Sequence, residues 1–456
     1  MEKNFPLLKL ALFVSVFVIV SCKKEIKDEP TSQLQAKAVK ENGHLLQAKT
    51  FSSDAAQKWL DLQVRCLRTP SNANPFGRHG HRWFAYSGIA LYEAVVPGMP
   101  AYQSLYGQLT DMPQMPATEP GKAYHWPTSV NAALSYMNKR FFTLSNSSAA
   151  NVAALDSLEN ALNSEYQLTI DAATFERSKN FGKAVAEKIY NWSTTDGSLN
   201  TYPPYVVATL PSWQPTAPNP TSVADPNWGK NRLMVPGSTE GTASPLPPTY
   251  SVDPNSAYYK MVKEVYDVSQ SLTPEQIATA VYFRDQPGFQ AGTAYVSIFD
   301  QVMQLQNPQL DFFALAQAQA GIALYESMIN CWKIKYEVLL DRPIRYIRTV
   351  LGHPGWNPVF TTPGHPDFPS GHSQNGGAFA LVMTKLLGDN YSFTLHTYDN
   401  LGMPPRNYTS FNDLAEEVGR SRVYAGIHYT YSCVEGKKQG ERIAENILNT
   451  LKFKKD

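Results

Sequence analysis

The 456-residue sequence has few cysteines, almost no net charge and few stretches with the alternating pattern of β-strands. Its four cysteines have no metal-type spacing and are too few for a disulfide framework. A formal net charge of +1 gives no sign of a nucleic-acid partner or a strongly charged partner surface. The scarcity of period-two patterns predicts a mainly α fold. Beyond Cys22, the cysteines Cys66, Cys331 and Cys433 leave two alternatives, one disulfide or three buried thiols.

The apolar run at the N-terminus has the layout of a targeting segment. Lys3 and Lys9 precede apolar residues 10–20, which are too few for a comfortable transmembrane helix and are typical of a signal peptide. The run ends at Ser21-Cys22, where the sequence resembles a bacterial lipobox; the alternative is an ordinary signal peptide with an incidental cysteine. We therefore expect residues 1–21 to be removed and residues 22–50 to form a polar tether. The protein would then be exported and lipid-anchored through Cys22 to the bacterial cell envelope.

Helical periodicity dominates from about residue 54. It predicts helices over 54–67, 82–95, 128–143, 148–165, 170–192, 255–270, 273–285, 291–305, 309–340, 371–388, 411–425 and 436–451. Residues 195–250 have no sustained period but contain several aromatics, which predicts a long ordered loop packed on the surface. Residues 88–93 (GIALYE) recur at 321–326, which suggests two related helical bundles. We divide the chain into a helical half at 51–250 and a C-terminal bundle at 251–456.

Three short motifs in the C-terminal bundle together supply the donors of an oxyanion site. Lys335 and Arg342 are seven residues apart, so on one helix they would lie on the same face. Pro343 either ends that helix or starts a new segment, which would hold Arg342 at a terminus. Arginine offers a fixed fork of donors and lysine a point charge. By itself this stretch is equally typical of a solvated basic helix face.

The second motif is Pro369-Ser370-Gly371-His372, directly before an apolar segment. Proline followed by a small polar residue indicates a helix start, whose free backbone N–H groups and positive dipole end favour anions. Gly371 allows an anion to approach the backbone, and Ser370 adds a hydroxyl. The alternative is a capped helix with an exposed histidine.

The third motif places Arg422 and His428 six residues apart. On an unbroken helix their side chains would diverge, so we expect Gly426 to break the helix and let them converge. A lone His428 would more often be a core histidine. Its occurrence after the other two motifs favours a functional role.

Together, the three motifs resemble the superfamily that joins vanadium-dependent haloperoxidases with type 2 phosphatidic acid phosphatases and bacterial acid phosphatases. The resemblance implies two helical bundles of the vanadium haloperoxidase type and a vanadate cofactor. It implies that His372 is the acid–base group and that His428 coordinates vanadium or acts as a phosphoryl nucleophile. The oxygens of vanadate or phosphate would be bound by Lys335, Arg342, Ser370, Gly371 and Arg422.

Smaller similarities favour the peroxidase branch. Trp332 matches a tryptophan that lines the haloperoxidase site, and His365 falls where bromoperoxidases tend to carry histidine. Asp285 matches a family aspartate that pairs with an arginine of the site. In this sequence that arginine is Arg422. Each of the three is otherwise explained by packing or loop polarity.

One position departs from the family pattern. Family members usually carry aspartate four residues after the last histidine, where this chain has Ser432. In the phosphatases that aspartate orients the imidazole, so its absence disfavours phosphatase chemistry. A metal-bound imidazole would tolerate the loss more easily.

The resemblance therefore implies a vanadate-dependent peroxidase for bromide or iodide. Its partners would be hydrogen peroxide, halide and small organic acceptors. Two alternatives remain at this point: an exported acid phosphatase with a phosphohistidine intermediate, and a lipoprotein that binds an oxyanion without catalysis.

Overall fold

The computed structural model describes residues 46–68, 77–144, 147–217, 220–284 and 294–456, and these are mainly helical, as predicted. The N-terminal helices are α1 (Asp54–Arg68), α2 (Gly77–Val95), α3 (Trp126–Leu144), α4 (Ala149–Thr169) and α5 (Ala172–Ser193). The C-terminal helices are α6 (Ala257–Ser269), α7 (Pro274–Tyr282), α8 (Ala294–Gln306), α9 (Leu310–Val338), α10 (Pro343–Thr349), α11 (Gly371–Leu387), α12 (Phe411–Tyr424) and α13 (Thr430–Thr450). A short antiparallel hairpin of β1 (Phe393–Leu395) and β2 (Arg406–Tyr408), which the sequence did not predict, lies between α11 and α12.

Short polar side chains begin several helices. The Asp171 carboxylate accepts from the Thr174 N–H at 2.9 Å, and Thr273 forms a reciprocal capping box with Gln276. Each cap satisfies a backbone N–H that has no acceptor within its helix and contributes about 1 kcal/mol. The largest differences from the predicted bounds are at the starts of α2 and α13, both of which begin earlier than predicted.

Two helical bundles share a continuous apolar core. The N-terminal bundle is built from α2, α3, α4 and α5, and in the C-terminal bundle α11 packs against α9, α12 and α13. Helices α2 and α9 pack side by side and join the two bundles. The repeated sequence lies at this contact: a Cβ atom on Gly88 would lie 2.8 Å from the Gln317 carbonyl oxygen, and one on Gly321 would lie 2.7 Å from the Cα atom of Ala85. The two glycines therefore let α2 and α9 approach closely.

The most extensive helix contact is between α11 and α13. A Cβ atom on Gly440 would lie 1.8 Å from the Gln374 carbonyl oxygen, so no larger residue fits there without movement. The same contact is continued by the Ser370 N–H, which donates to the Ser432 carbonyl at 3.0 Å. Close packing of these helices therefore sets the second motif beside the third.

The predicted long loop is ordered in its described parts and packs on the C-terminal bundle. The Trp213 N–H donates to the Leu339 carbonyl at 2.8 Å. The Ala224 carbonyl accepts from Trp332 Nε1 at 3.2 Å and from the Tyr336 hydroxyl at 2.7 Å. This loop therefore covers the end of α9 that holds the first motif.

Cys66, Cys331 and Cys433 are buried free thiols. Of the two alternatives, one disulfide or three buried thiols, the second is therefore correct. Within the described ranges no helix combines the length and apolarity needed to cross a bilayer. The predicted signal peptide, Cys22 and residues 22–45 of the tether lie outside the described residues.

Candidate active site

The three motifs meet in one buried cluster. Lys335 lies near the end of α9, Arg342 directly precedes α10, and Ser370 directly precedes α11. Arg422 lies in the last turn of α12, and His428 lies in the connection before α13. All five side chains are almost completely buried, so the cluster is a site inside the C-terminal bundle.

Lys335 and Arg342 do not share a helix, so the second alternative for Pro343, a new segment with Arg342 at its terminus, is correct. Helix α9 ends at Val338 because Leu339 adopts a left-handed conformation with φ 54°. Arg342 is the N-cap residue of α10 and Pro343 is its first residue, so Pro343 starts a new segment. Neither Lys335 nor Arg342 has exposed surface, which excludes a solvated basic face for this pair.

The Lys335 ammonium holds the segment before α11 in place. Its Nζ atom donates to the carbonyl oxygens of Pro366 at 2.9 Å, Asp367 at 2.8 Å and Pro369 at 2.5 Å. Burial lowers the pKa of Lys335 to about 8, so the ammonium form predominates at neutral pH. Lys335 therefore adds positive charge to the cluster while its hydrogens are directed at backbone carbonyls.

Arg342 contacts one ring nitrogen of His428 and favours one tautomer of the imidazole. Arg342 Nη1 donates to the Ile427 carbonyl at 2.5 Å and lies 3.1 Å from His428 Nε2. A guanidinium can only donate, so Nε2 is the acceptor and the ring proton is on Nδ1. Burial, and then the charges of Arg342, Lys335 and Arg422, lower the pKa of His428 well below its ordinary value. The imidazole is neutral at neutral pH, which is the form that ligates metals or acts as a nucleophile.

Asp367, which no sequence pattern indicated, faces the other ring nitrogen of His428. Its Oδ2 atom lies 3.2 Å from His428 Nδ1 and 3.7 Å from Arg342 Nη1. Burial raises the pKa of Asp367 to about 6, against the lowering effect of the Arg342 and Lys335 charges. Asp367 is therefore predominantly a carboxylate at neutral pH, beside the nitrogen that carries the imidazole proton.

Ser370 caps α11, as the second motif predicts. Its hydroxyl accepts from the Ser373 N–H, and Gly371 and His372 are the first two residues of the helix. The N–H groups of the first two helical residues have no acceptor within the helix and point toward its positive end. His372 is half-buried, and its Nε2 atom lies 3.1 Å from the Phe283 carbonyl. The helix start can therefore receive an anion, with His372 beside it.

Trp332 and His365 border the cluster. Their rings pack with centroids 4.9 Å apart, and His365 Nδ1 lies 3.1 Å from Arg342 Nη2. A Cβ atom on Gly371 would lie 3.3 Å from the Trp332 ring, so glycine lets the helix start approach the indole. The structure thus brings both residues to the site at which the resemblance places them.

The helix of the third motif ends before His428, as predicted. Helix α12 ends at Tyr424, and Gly426 adopts a positive φ of 75°. Arg422 Nη1 donates to the Phe283 carbonyl at 2.6 Å. Asp285, the predicted partner of Arg422, lies outside the described residues.

The donor set fits a multiply charged oxyanion. Among the described residues the cluster contains three cationic side chains and one carboxylate, together with the N–H groups of a helix start. A bound oxyanion would make charge-assisted hydrogen bonds with such donors. The neutral His428 adds a nitrogen ligand of the kind that a metal oxyanion accepts.

Comparisons with known proteins point to the same chemistry. Residues 315–454, which include all three motifs, match the family model of the VCPO second helical-bundle domain. The vanadium-dependent bromoperoxidase of Ascophyllum nodosum is 32% identical over 101 residues, a match that spans 19% of this chain and only 18% of that relative.

Two solved structures share the architecture. The first bacterial vanadium-dependent iodoperoxidase is similar with a TM-score of 0.79 at 29% identity, over 89% of this chain and 98% of that one. A holo-type bacterial vanadium-dependent chloroperoxidase has a TM-score of 0.61 at 16% identity, over 82% and 91% of the two chains, which is a likeness of fold alone. These comparisons support the vanadium haloperoxidase superfamily as the one that the chain resembles, and the chain has that superfamily's helical fold.

Proposed function

We propose that the protein is a vanadate-dependent haloperoxidase that oxidises iodide or bromide with hydrogen peroxide. The main support is the position of His428, whose Nε2 atom lies 3.1 Å from Arg342 Nη1 in a buried cationic cluster. Similarity to a bacterial iodoperoxidase and to an algal bromoperoxidase supports these two halides. Halide, peroxide and one proton would give hypohalous acid and water, and small organic acceptors would be halogenated by the product.

Vanadate would be held by groups that the three motifs supply. Arg342, Arg422, the Ser370 hydroxyl and the N–H groups at the start of α11 would bind its oxygens, and His428 Nε2 would ligate the metal. Lys335 would contribute charge at short range. When bound, vanadate supplies a Lewis acid that makes peroxide electrophilic toward halide without a change in metal oxidation state.

His372 would carry the proton of the reaction. It lies at the helix start beside the oxyanion position and is half-buried, so it can exchange protons with solvent. Trp332 and His365 would form the wall that the halide meets, and the polarity of that wall would set halide preference.

The test is a halide-oxidation assay with iodide, bromide and chloride, with and without orthovanadate. We expect vanadate-dependent oxidation of iodide or bromide and its loss in His428→Ala. His396→Ala is the matched control, because His396 is an exposed histidine on the hairpin segment that pairs with Asp399. Failure of folded, vanadate-loaded protein to oxidise any halide would contradict the proposal.

A phosphatase remains the second candidate, and the position of Asp367 favours it. The carboxylate beside His428 Nδ1 forms the base–orienter arrangement that Ser432 alone would not provide. Hydrolysis of a chromogenic phosphate ester, inhibited by vanadate and lost in His428→Ala, would identify this activity. Vanadate binding without either activity would identify an oxyanion-binding lipoprotein.

We also propose that the enzyme is exported and anchored through a lipid on Cys22, as the N-terminal sequence suggests. Fatty-acid labelling of the protein expressed in a bacterial host, and its loss with release of protein from membranes in Cys22→Ala, tests this. Unlabelled protein in the soluble periplasmic fraction would contradict it.

A further inference from the structure

The two nitrogens of His428 have different neighbours. Arg342 Nη1 lies 3.1 Å from Nε2, and Asp367 Oδ2 lies 3.2 Å from Nδ1. Within the described chain, His428 Nδ1 and both Asp367 carboxylate oxygens make no hydrogen bond of standard geometry, either to each other or to other groups. Buried polar groups are normally paired, and the Asp367 carboxylate is close enough to be the acceptor for Nδ1–H.

The position of Asp367 is fixed through its backbone. Its N–H donates to the Leu340 carbonyl at 2.9 Å, and its carbonyl accepts from Lys335 Nζ at 2.8 Å. The side chain has no exposed surface. The carboxylate is therefore held beside the imidazole by the end of α9 and the segment that follows it.

Ser432 faces the same carboxylate. The Ser432 hydroxyl is near enough to lower the pKa of Asp367, and its backbone carbonyl accepts from the Ser370 N–H at 3.0 Å. Ser432 has no exposed surface. The two side chains thus lie together on the Nδ1 side of His428, with the acid at position 367 and the hydroxyl at position 432.

We infer that Asp367 is the positioning residue of His428, in place of the aspartate that family members usually carry where this chain has Ser432. By accepting from Nδ1–H, the carboxylate keeps the Nε2 lone pair directed at the oxyanion position. The inference deepens the proposed function, because it rests on His428 acting through Nε2. The His428 tautomer that we expect does not depend on bound vanadate, so it can be measured in the vanadate-free protein.

The first test reads the His428 tautomer by ¹⁵N NMR of the imidazole nitrogens, with the signal assigned by comparison with His428→Gln. We expect the Nδ1–H tautomer in the wild type and a gain of the Nε2–H tautomer in Asp367→Asn. The matched control is Asp341→Asn, which removes a buried carboxylate bonded to Arg345 at 2.7 Å. We expect no change of tautomer in the control.

The second test measures orthovanadate dissociation constants by equilibrium dialysis. Loss of a side chain that orients a metal ligand typically weakens metal binding about 10–100-fold, and we expect this for Asp367→Asn but not for Asp341→Asn. An unchanged tautomer together with unchanged affinity in Asp367→Asn would overturn the inference.

An interchange variant keeps the test decisive if Asp367→Asn does not fold. We expect Asp367→Ser combined with Ser432→Asp to recover the Nδ1–H tautomer and most of the vanadate affinity that Asp367→Ser loses. No recovery in the folded double variant would contradict the pairing of these positions. If the wild type bound no vanadate but the His428 tautomer still changed in Asp367→Asn, the proposed function would be refuted and the inference supported.

Discussion

Some side chains of the cluster face the proposed oxyanion position, and others hold neighbouring residues in place. Lys335 belongs to the second kind, because its three hydrogens are directed at carbonyl oxygens before α11. Arg342 belongs to both, since it contacts His428 and also donates from Nε to the His365 carbonyl at 2.9 Å. The same residues therefore supply positive charge to the cluster and hold its backbone segments in place.

Removal of the Lys335 ammonium should destabilise the fold. Lys335→Met would leave three carbonyl acceptors without their donor in a buried site, and we expect a loss of about 3–5 kcal/mol in the free energy of unfolding. Urea denaturation measures it. Lys333→Met, at an exposed position two residues earlier, should change stability by less than about 0.5 kcal/mol. Equal stability of the two variants would contradict a supporting role for Lys335.

Removal of the His372 imidazole should separate binding from turnover. In His372→Ala, we expect orthovanadate to bind as in the wild type, because the backbone of the helix start is retained. The rate of iodide oxidation should fall by about 10²–10⁴, the usual contribution of a positioned acid–base group. Dialysis and steady-state rates on the same sample measure both quantities. A normal rate would exclude His372 as the proton carrier.

At the scale of helices, close packing decides where the site forms. Glycines in α11 and α13 let the two backbones meet, and this sets Ser370 at one helix start beside the connection that carries His428. Helices α2 and α9 meet through Gly88 and Gly321 in the same way. Small residues at helix contacts thus determine both the joint between the bundles and the geometry of the cluster.

Gly440→Ala should disturb the fold and the site together. Its Cβ atom would lie 1.8 Å from the Gln374 carbonyl oxygen, so α11 and α13 would have to separate. We expect at least about 2 kcal/mol of lost stability and weaker vanadate binding. Gly355→Ala is the control, because a Cβ atom there meets no atom within 4 Å. Stability and affinity equal to those of the control would refute this account of the helix contact.

The buried glutamates of the repeated sequence should make stability depend on pH. Glu93 accepts from the Leu105 N–H at 2.7 Å, and Glu326 accepts from the Met234 N–H at 2.5 Å. Burial raises the pKa of both glutamates to about 7 from an ordinary value of 4.5. Between these pH values the folded state holds protons that the unfolded state releases. The contribution of these two glutamates to stability should therefore fall as pH rises from 4.5 to about 7, then level.

Glu93→Gln and Glu326→Gln should each remove part of this pH dependence, by about 3 kcal/mol per site. Urea unfolding at pH 5 and pH 8 measures the difference between wild type and variants. The glutamine carbonyl can still accept from the same N–H groups, so the variants should fold. An unchanged difference between the two pH values would show that these carboxyl groups are ionised at both.

Over the described residues of the whole molecule, the sequence predicted every α-helix except α10, and it predicted the three motifs that the structure brings together, because periodicity and short motifs are local signals. It did not decide whether Pro343 ends the helix of Lys335 or starts a new segment, since that depends on the left-handed conformation of Leu339. It also did not predict Asp367, because the contact with His428 joins distant segments through helix packing. Ser432 signalled that a carboxylate was missing from its usual position without indicating which residue supplies it.

The proposed function requires that this cluster binds one vanadate and uses it to oxidise halide. A titration of vanadate-free protein with orthovanadate, following iodide oxidation at constant peroxide, tests both points. We expect the rate to rise to a plateau at one vanadate per chain and to stay at background in His428→Ala. A rate that remains at background with saturating vanadate, or that does not depend on vanadate, would contradict it.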